Sequence, residues 1–195
     1  MHRPRAHALA CIAVLISLAL QSRAGDSSLP TFVPWKVLNP GDEPLKSDLV
    51  LYWIPSSRDE MRRSPLLTSR PLAIYSTQCV GMQLIRPDDE DRIELLGAKD
   101  ALPMAVLVSS SDGKIVARVG APFRASEVEK MVRDTLVAWD SDADQLLDDA
   151  RSMVANGDRE GAIVNYRRVC AQRCLFPRKA KDAQKALRRL GVEEK

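Results

Sequence analysis

The chain has 195 residues, 45% of them hydrophobic and 28% charged, with 29 Lys and Arg against 26 Asp and Glu. Both of its histidines, His2 and His7, lie close to the N-terminus. Everything downstream of them is therefore excluded from Ser-His-Asp or Cys-His nucleophilic catalysis, from His-based zinc centres, and from the usual proton shuttle near neutral pH.

The first residues follow the three-part pattern of a secretory leader. Arg3 and Arg5 make a positive start, Ala8 to Leu20 is an uncharged apolar run, and Ser22-Arg23-Ala24 offers small residues at the two positions a signal peptidase reads. Cleavage is expected after Ala24. The apolar run is shorter than the roughly 20 residues that span a bilayer, which argues against a membrane anchor. Cys11 precedes most of the run, the wrong order for a lipoprotein site. Loss of residues 1–24 removes Arg3, Arg5 and Arg23, so 26 basic residues remain against 26 acidic ones. The remaining chain has no general basic field to attract nucleic acid or an anionic membrane. An oxidising destination, periplasmic or extracellular, is expected, with no transmembrane anchor after cleavage.

Residues 25–47 read as an arm. Pro30, Pro34, Pro40 and Pro44 forbid a continuous helix. Phe32, Val33, Trp35, Val37 and Leu38 are too apolar for a free linker, and Trp35 to Leu38 reads as an edge strand lying on the domain. Asp48 to Ile54 carries LVLYWI, a nearly continuous apolar run, the pattern of a strand buried on both faces. Ser56-Ser57-Arg58-Asp59-Glu60 then opens a helix, with good cap residues and acids in its first turn. Pro65 should kink that helix and Pro71 restart it, with helix resuming over Leu72 to Gln78. Val80 to Ile85 is a second strand. Asp88 to Asp91 is an acidic turn before a short helix, Arg92 to Ala98. Met104 to Val108 is a third buried strand, and Asp112-Gly113 turns it into an antiparallel partner, Lys114 to Val119, ended by Gly120.

From Ser126 the apolar period becomes helical: Val128, Met131, Val132, Leu136 and Trp139 recur on one face. Ser126 with Glu129 forms a capping-box pattern. Leu146, Leu147 and Ala150 continue at that spacing to Asn156-Gly157, a stop signal, and Asp158 caps the next helix. Pro177 opens the last one. The order β-α-β-α-β-β-α followed by helices predicts an α/β sandwich with a helical appendage.

Three cysteines follow the leader: Cys79, Cys170 and Cys174. An odd number leaves one thiol over or pairs it with another chain. Cys79 is either a buried small hydrophobe or a reactive thiol. Cys170 and Cys174 share a helix face and form a candidate disulfide if the helix frays near Arg173. Two cysteines fall short of the four ligands of a structural zinc site, so no metal and no cofactor is expected.

Residues 48–139 resemble the thioredoxin superfamily. Tyr52-Trp53-Ile54 matches the end of the strand before that family's dithiol motif. Pro65 falls on its helix-kinking proline, Asp88 and Pro103 keep its spacing, and Asp112-Gly113 and Gly120 match its hairpin. The resemblance implies a thioredoxin-like α/β sandwich with a cis peptide before Pro103, facing the turn after the first buried strand. It also implies a peptide-binding groove at Trp53, Ser56, Ser57, Leu102 and Pro103. The two thiol positions, however, hold Ser57 and Glu60. Dithiol exchange needs a thiolate and a resolving thiol, so no redox activity is expected at this turn and no catalytic residue is assigned there. Residues 140–195 resemble a single tetratricopeptide repeat with a closing helix, through Ala150, Gly157-Asp158, Ala162-Ile163 and Tyr166.

The expected function is therefore an exported, redox-inactive module that binds or scaffolds an unidentified protein or peptide. The alternative is a thiol–disulfide oxidoreductase working through displaced cysteines, Cys79 or Cys170 and Cys174.

Overall fold

The computed structural model describes residues 32–39 and 41–192. The leader and its cleavage site lie outside them, as does Cys11. Within them stands a five-stranded mixed sheet flanked by helices and continued by further helices.

The strands are β1 (Lys36–Leu38), β2 (Leu49–Ile54), β3 (Val80–Ile85), β4 (Met104–Ser109) and β5 (Ile115–Val119). Their spatial order is β1-β3-β2-β4-β5. β3 pairs in parallel with both β1 and β2, whereas β4 runs antiparallel to β2 and to β5. The helices are α1 (Arg58–Arg63), α2 (Arg70–Thr77), α3 (Glu90–Leu95), α4 (Ala125–Ala155), α5 (Arg159–Ala171) and α6 (Pro177–Arg189). A 3-10 turn, Pro65–Thr68, separates α1 from α2. Both prolines act as expected, since each removes an N–H that a continuous helix would need.

Period-2 alternation divides the sheet between two cores. Leu49, Leu51, Trp53, Met82, Leu84 and Leu107 pack under α2 and the first half of α4. Ile54, Ile85, Met104 and Val106 face Ile93 of α3 and Leu38 of β1. Gln83 lies among the residues on this second face. It is fully buried, yet neither atom of its amide has a hydrogen-bond partner among the described residues.

The arm lies on the domain as anticipated. The Val33 N–H donates to the Leu67 carbonyl, and the Trp35 ring stands 5.4 Å from that of Trp53, tilted by 59°. Three boundaries differ from expectation. α3 starts at Glu90, because the Asp89 carboxylate accepts from the Arg92 N–H and sets the cap earlier. The Ser126–Glu129 capping box does not form. α4 begins at Ala125 with no side-chain cap, and the Glu129 carboxylate instead accepts from the Ser69 hydroxyl at 2.7 Å. The division at residue 140 falls inside α4, which runs unbroken for 31 residues because neither Gly nor Pro interrupts it.

The far half of α4 packs with α5 and α6 around a third core of Leu147, Ala150, Ala162, Tyr166, Val169 and Leu187. Asp158 caps α5 through the Gly161 N–H, and Pro177 stands at the start of α6, both as predicted. Contacts beyond the third core also fix these helices in place. Leu175, in the α5–α6 turn, is buried in the first core. Lys179 of α6 reaches α4, with ion pairs to Asp140 at 2.7 Å and Asp144 at 2.8 Å.

Candidate functional site

The turn leaving β2 carries the residues that the sequence pattern singles out. Ser57 is the N-cap of α1, and its hydroxyl oxygen accepts from the Glu60 N–H at 3.2 Å. Glu60 returns the contact one residue earlier. Its carboxylate accepts from the Ser56 N–H at 2.8 Å and from the Ser56 hydroxyl at 2.7 Å. This is a reciprocal cap in the manner of a capping box, and it satisfies donors that a helix start would otherwise leave open. Ser57 and Glu60 thus have a structural task. Ser56 and Ser57 remain exposed on their outer side.

The expected cis peptide is present between Leu102 and Pro103. β4 starts at the next residue, Met104, which pairs with Ile54 at the end of β2. Register therefore brings Leu102-Pro103 to the same end of the sheet as Ser56-Ser57. Leu102 and Pro103 are half-buried. A second cis bond, Ala121–Pro122, shapes the loop before α4. That loop's Phe123 and Arg124 line a cleft of about 460 Å³ with Glu60, Arg63 and Pro65.

Trp53 does not join this groove. It is fully buried under the helices, with the Trp35 ring tilted against it. The reason is parity: Trp53 shares the face of Leu49 and Leu51, and that face is covered by α2 and α4. Of the residues expected to form a groove, Ser56 and Ser57 are exposed and Leu102 and Pro103 are half-buried.

Sequence reasoning missed a charged cluster beside the turn. Arg86 donates to Asp88 through two nitrogens, at 3.0 and 2.8 Å, and Arg58 donates to the same carboxylate at 3.0 Å. These bonds, from Arg86 first and then Arg58, hold the Asp88 carboxyl at about 2. The cluster ties the first turn of α1 to the end of β3. Its only sequence signal was the acidic turn at residues 88–91.

The cysteines are arranged differently from expectation. Cys79 is bonded to Cys174, with Cα atoms 5.8 Å apart and 95 positions between them in sequence. The candidate Cys170–Cys174 disulfide is not formed, and Cys79 is not a thiol. Cys79 stands between α2 and β3 in a left-handed backbone conformation, φ 63°, that a non-glycine residue rarely adopts. The α5–α6 turn crosses over it and presents Cys174, a Cα spacing well inside the range for a disulfide. The Cys170 Sγ instead lies 3.7 Å from the Ala180 carbonyl of α6.

Near this bridge, Asp48 receives the backbone N–H of Leu175, and its pKa is raised because burial disfavours the charged form. Its Oδ2 and the Gln172 Oε1 are buried without a hydrogen-bond partner among the described residues. No group of three or more His, Cys, Asp or Glu side chains among the described residues is placed to hold a metal ion. No described helix is long and apolar enough to cross a membrane. No protein-family model matches the chain, and no curated protein matches it.

Proposed function

We propose that the chain is exported and that its sheet domain is a thioredoxin-like module that binds an extended segment of another protein without redox chemistry. In this reading the α4–α6 helices form a single tetratricopeptide-like hairpin that buttresses the sheet. The strand order, with β3 parallel to both its neighbours and a β4–β5 hairpin beyond, supports the thioredoxin-like assignment. The leader pattern at residues 1–24 supports export.

One observation carries the binding reading. The turn beside the cis Leu102–Pro103 bond presents a hydroxyl and a carboxylate where a dithiol would stand, and Ser57 and Glu60 spend these polar atoms on a helix cap. Such a turn has no thiol nucleophile, but exposed Ser56 and Ser57 stand beside half-buried Leu102 and Pro103 at the start of β4. An extended peptide can add there through main-chain hydrogen bonds.

The test is selection of peptides from a random library against the immobilised protein, followed by amide chemical-shift mapping. Selected peptides should shift Ser56, Ser57 and Leu102 and leave the Asp112-Gly113 turn, at the other end of β4, unmoved. Failure to recover any peptide, or shifts confined to other regions, overturns the reading.

The displaced-cysteine oxidoreductase has one observation in its favour: Cys174 is exposed and Cys170 stands one turn upstream. Placement weighs against it. The other half of the bridge, Cys79, is half-buried, and the bond joins two separate parts of the chain. Cycling it would loosen the helices from the sheet at each turnover.

A further inference from the structure

At the end of the sheet opposite the cis-proline, β2 begins, β4 ends, and α5 with the α5–α6 turn closes over both. Two adjoining clefts open there, of about 800 and 710 Å³, sharing Asp48 and Ala171 in their walls. Lys46 and Arg168 line one of them. Arg167, Arg173 and Lys181 line the other. The one carboxylate among the residues lining these two walls is that of Asp48, which already accepts from the Leu175 N–H.

This concentration departs from the rest of the molecule. Beyond the leader the chain carries as many acids as bases, and elsewhere many surface cations are paired with an acid, as in Arg58–Asp88, Lys130–Asp134, Arg151–Asp148 and Lys185–Asp182. Lys46, Arg168, Arg173 and Lys181 make no ion pair among the described residues. Like charges held together without counter-charges repel, and an anionic ligand relieves that repulsion.

Shape selects among anions. A small-molecule site encloses most of its ligand, typically 70–90% of the surface. These clefts are open to solvent and meet at Asp48 and Ala171, which suits an extended chain. Exposed Ser110 and Ser111 on one wall can hydrogen-bond a peptide backbone. Single-stranded nucleic acid would need a run of stacking surfaces, and Trp139 is the one aromatic residue in either wall. We propose that this double cleft binds an acidic segment of a protein partner, its carboxylates facing Lys46, Arg168, Arg173 and Lys181. The site is separate from the cis-proline groove, and either can fail without the other.

The probe is a fluorescein-labelled peptide of alternating Glu and Gly, titrated with the full protein and followed by anisotropy. Saturable binding is expected, weakening as salt is raised through the physiological range, because exposed charges are screened. Arg168→Glu/Arg173→Glu should weaken binding at least about tenfold, since each reversal exchanges an attraction for a repulsion. Arg62→Glu/Lys99→Glu, which changes the net charge equally at a distance, should change it less than about twofold. All four side chains are exposed, and intact mass of each variant checks that the Cys79–Cys174 bond has formed. The milder Lys181→Gln should weaken binding about two- to threefold. No saturable binding, or equal weakening by the two double variants, overturns the proposal. So does an oligonucleotide of equal charge that binds as tightly and loses affinity in the same variants.

Discussion

Removing the Cys79–Cys174 bond should cost the protein a large share of its stability. The bridge closes a loop across 95 positions of sequence. In the chain-entropy account, cross-linking a loop near 100 residues removes about 4.7 kcal/mol of denatured-state freedom, and measured values more often fall at 2–4 kcal/mol. A loss of about 3–5 kcal/mol is therefore expected for Cys79→Ala/Cys174→Ala. With a urea slope of about 2 kcal/mol/M, typical of a small domain, the unfolding midpoint should fall by about 2 M. The melting temperature should drop by roughly 10–15 °C. The assay is urea unfolding followed by circular dichroism, in a Cys170→Ser background so that the third thiol cannot substitute. A midpoint shift below about 0.5 M would refute the reasoning, because the bridge would then constrain little of the denatured chain. A mass map of the unreduced wild type showing Cys170 joined to Cys174 would refute the pairing itself.

Gln83→Leu should raise stability by about 1–2 kcal/mol in the same assay, since it removes a buried amide that has no partner at similar volume. A destabilisation would mean that the amide is satisfied by ordered water. Ser57→Ala should cost about 1 kcal/mol, the usual worth of a helix cap, and change no thiol chemistry. Asp88 sets an acid limb. Its folded pKa, about 2, lies below the ordinary 3.8, so its contribution is present above pH 4 and lost as pH falls toward 2. Asp88→Asn should flatten the stability profile across that window, as read from urea midpoints at stepped pH. An unchanged acid limb would remove the Arg58–Asp88–Arg86 cluster from the account.

The sheet was legible because its strands announce themselves. LVLYWI and MAVLV are apolar runs of strand length bounded by polar turns, and a strand covered on both faces needs that composition. The helix breaks at Pro65 and Pro71 were equally legible, since proline removes a donor wherever it stands. The same run that revealed β2 contained the evidence against Trp53 as a groove residue. A continuous apolar strand has no open face, so its Trp must lie inside. The length of α4 could also have been read from the lack of any breaker between Ser126 and Asn156. The cysteine pairing was not legible. Sequence spacing favours partners on one helix, whereas the actual bond depends on how the α5–α6 turn crosses the sheet, a matter of packing around Leu175. Asp48 and the cations around it were hidden for the same reason. They come from the start of β2, from α5, from the following turn and from α6, and only the docking of those elements brings them together.

The most direct test of the central claim is a disulfide-exchange assay on the purified protein, with insulin reduction by dithiothreitol as the readout and Cys170→Ser as the comparison. A thiol-free turn and a structural bridge predict turnover no faster than dithiothreitol alone, for the wild type and the variant alike. Catalysis by the wild type that is abolished in Cys170→Ser would contradict the account and establish the molecule as an oxidoreductase working through its displaced cysteines.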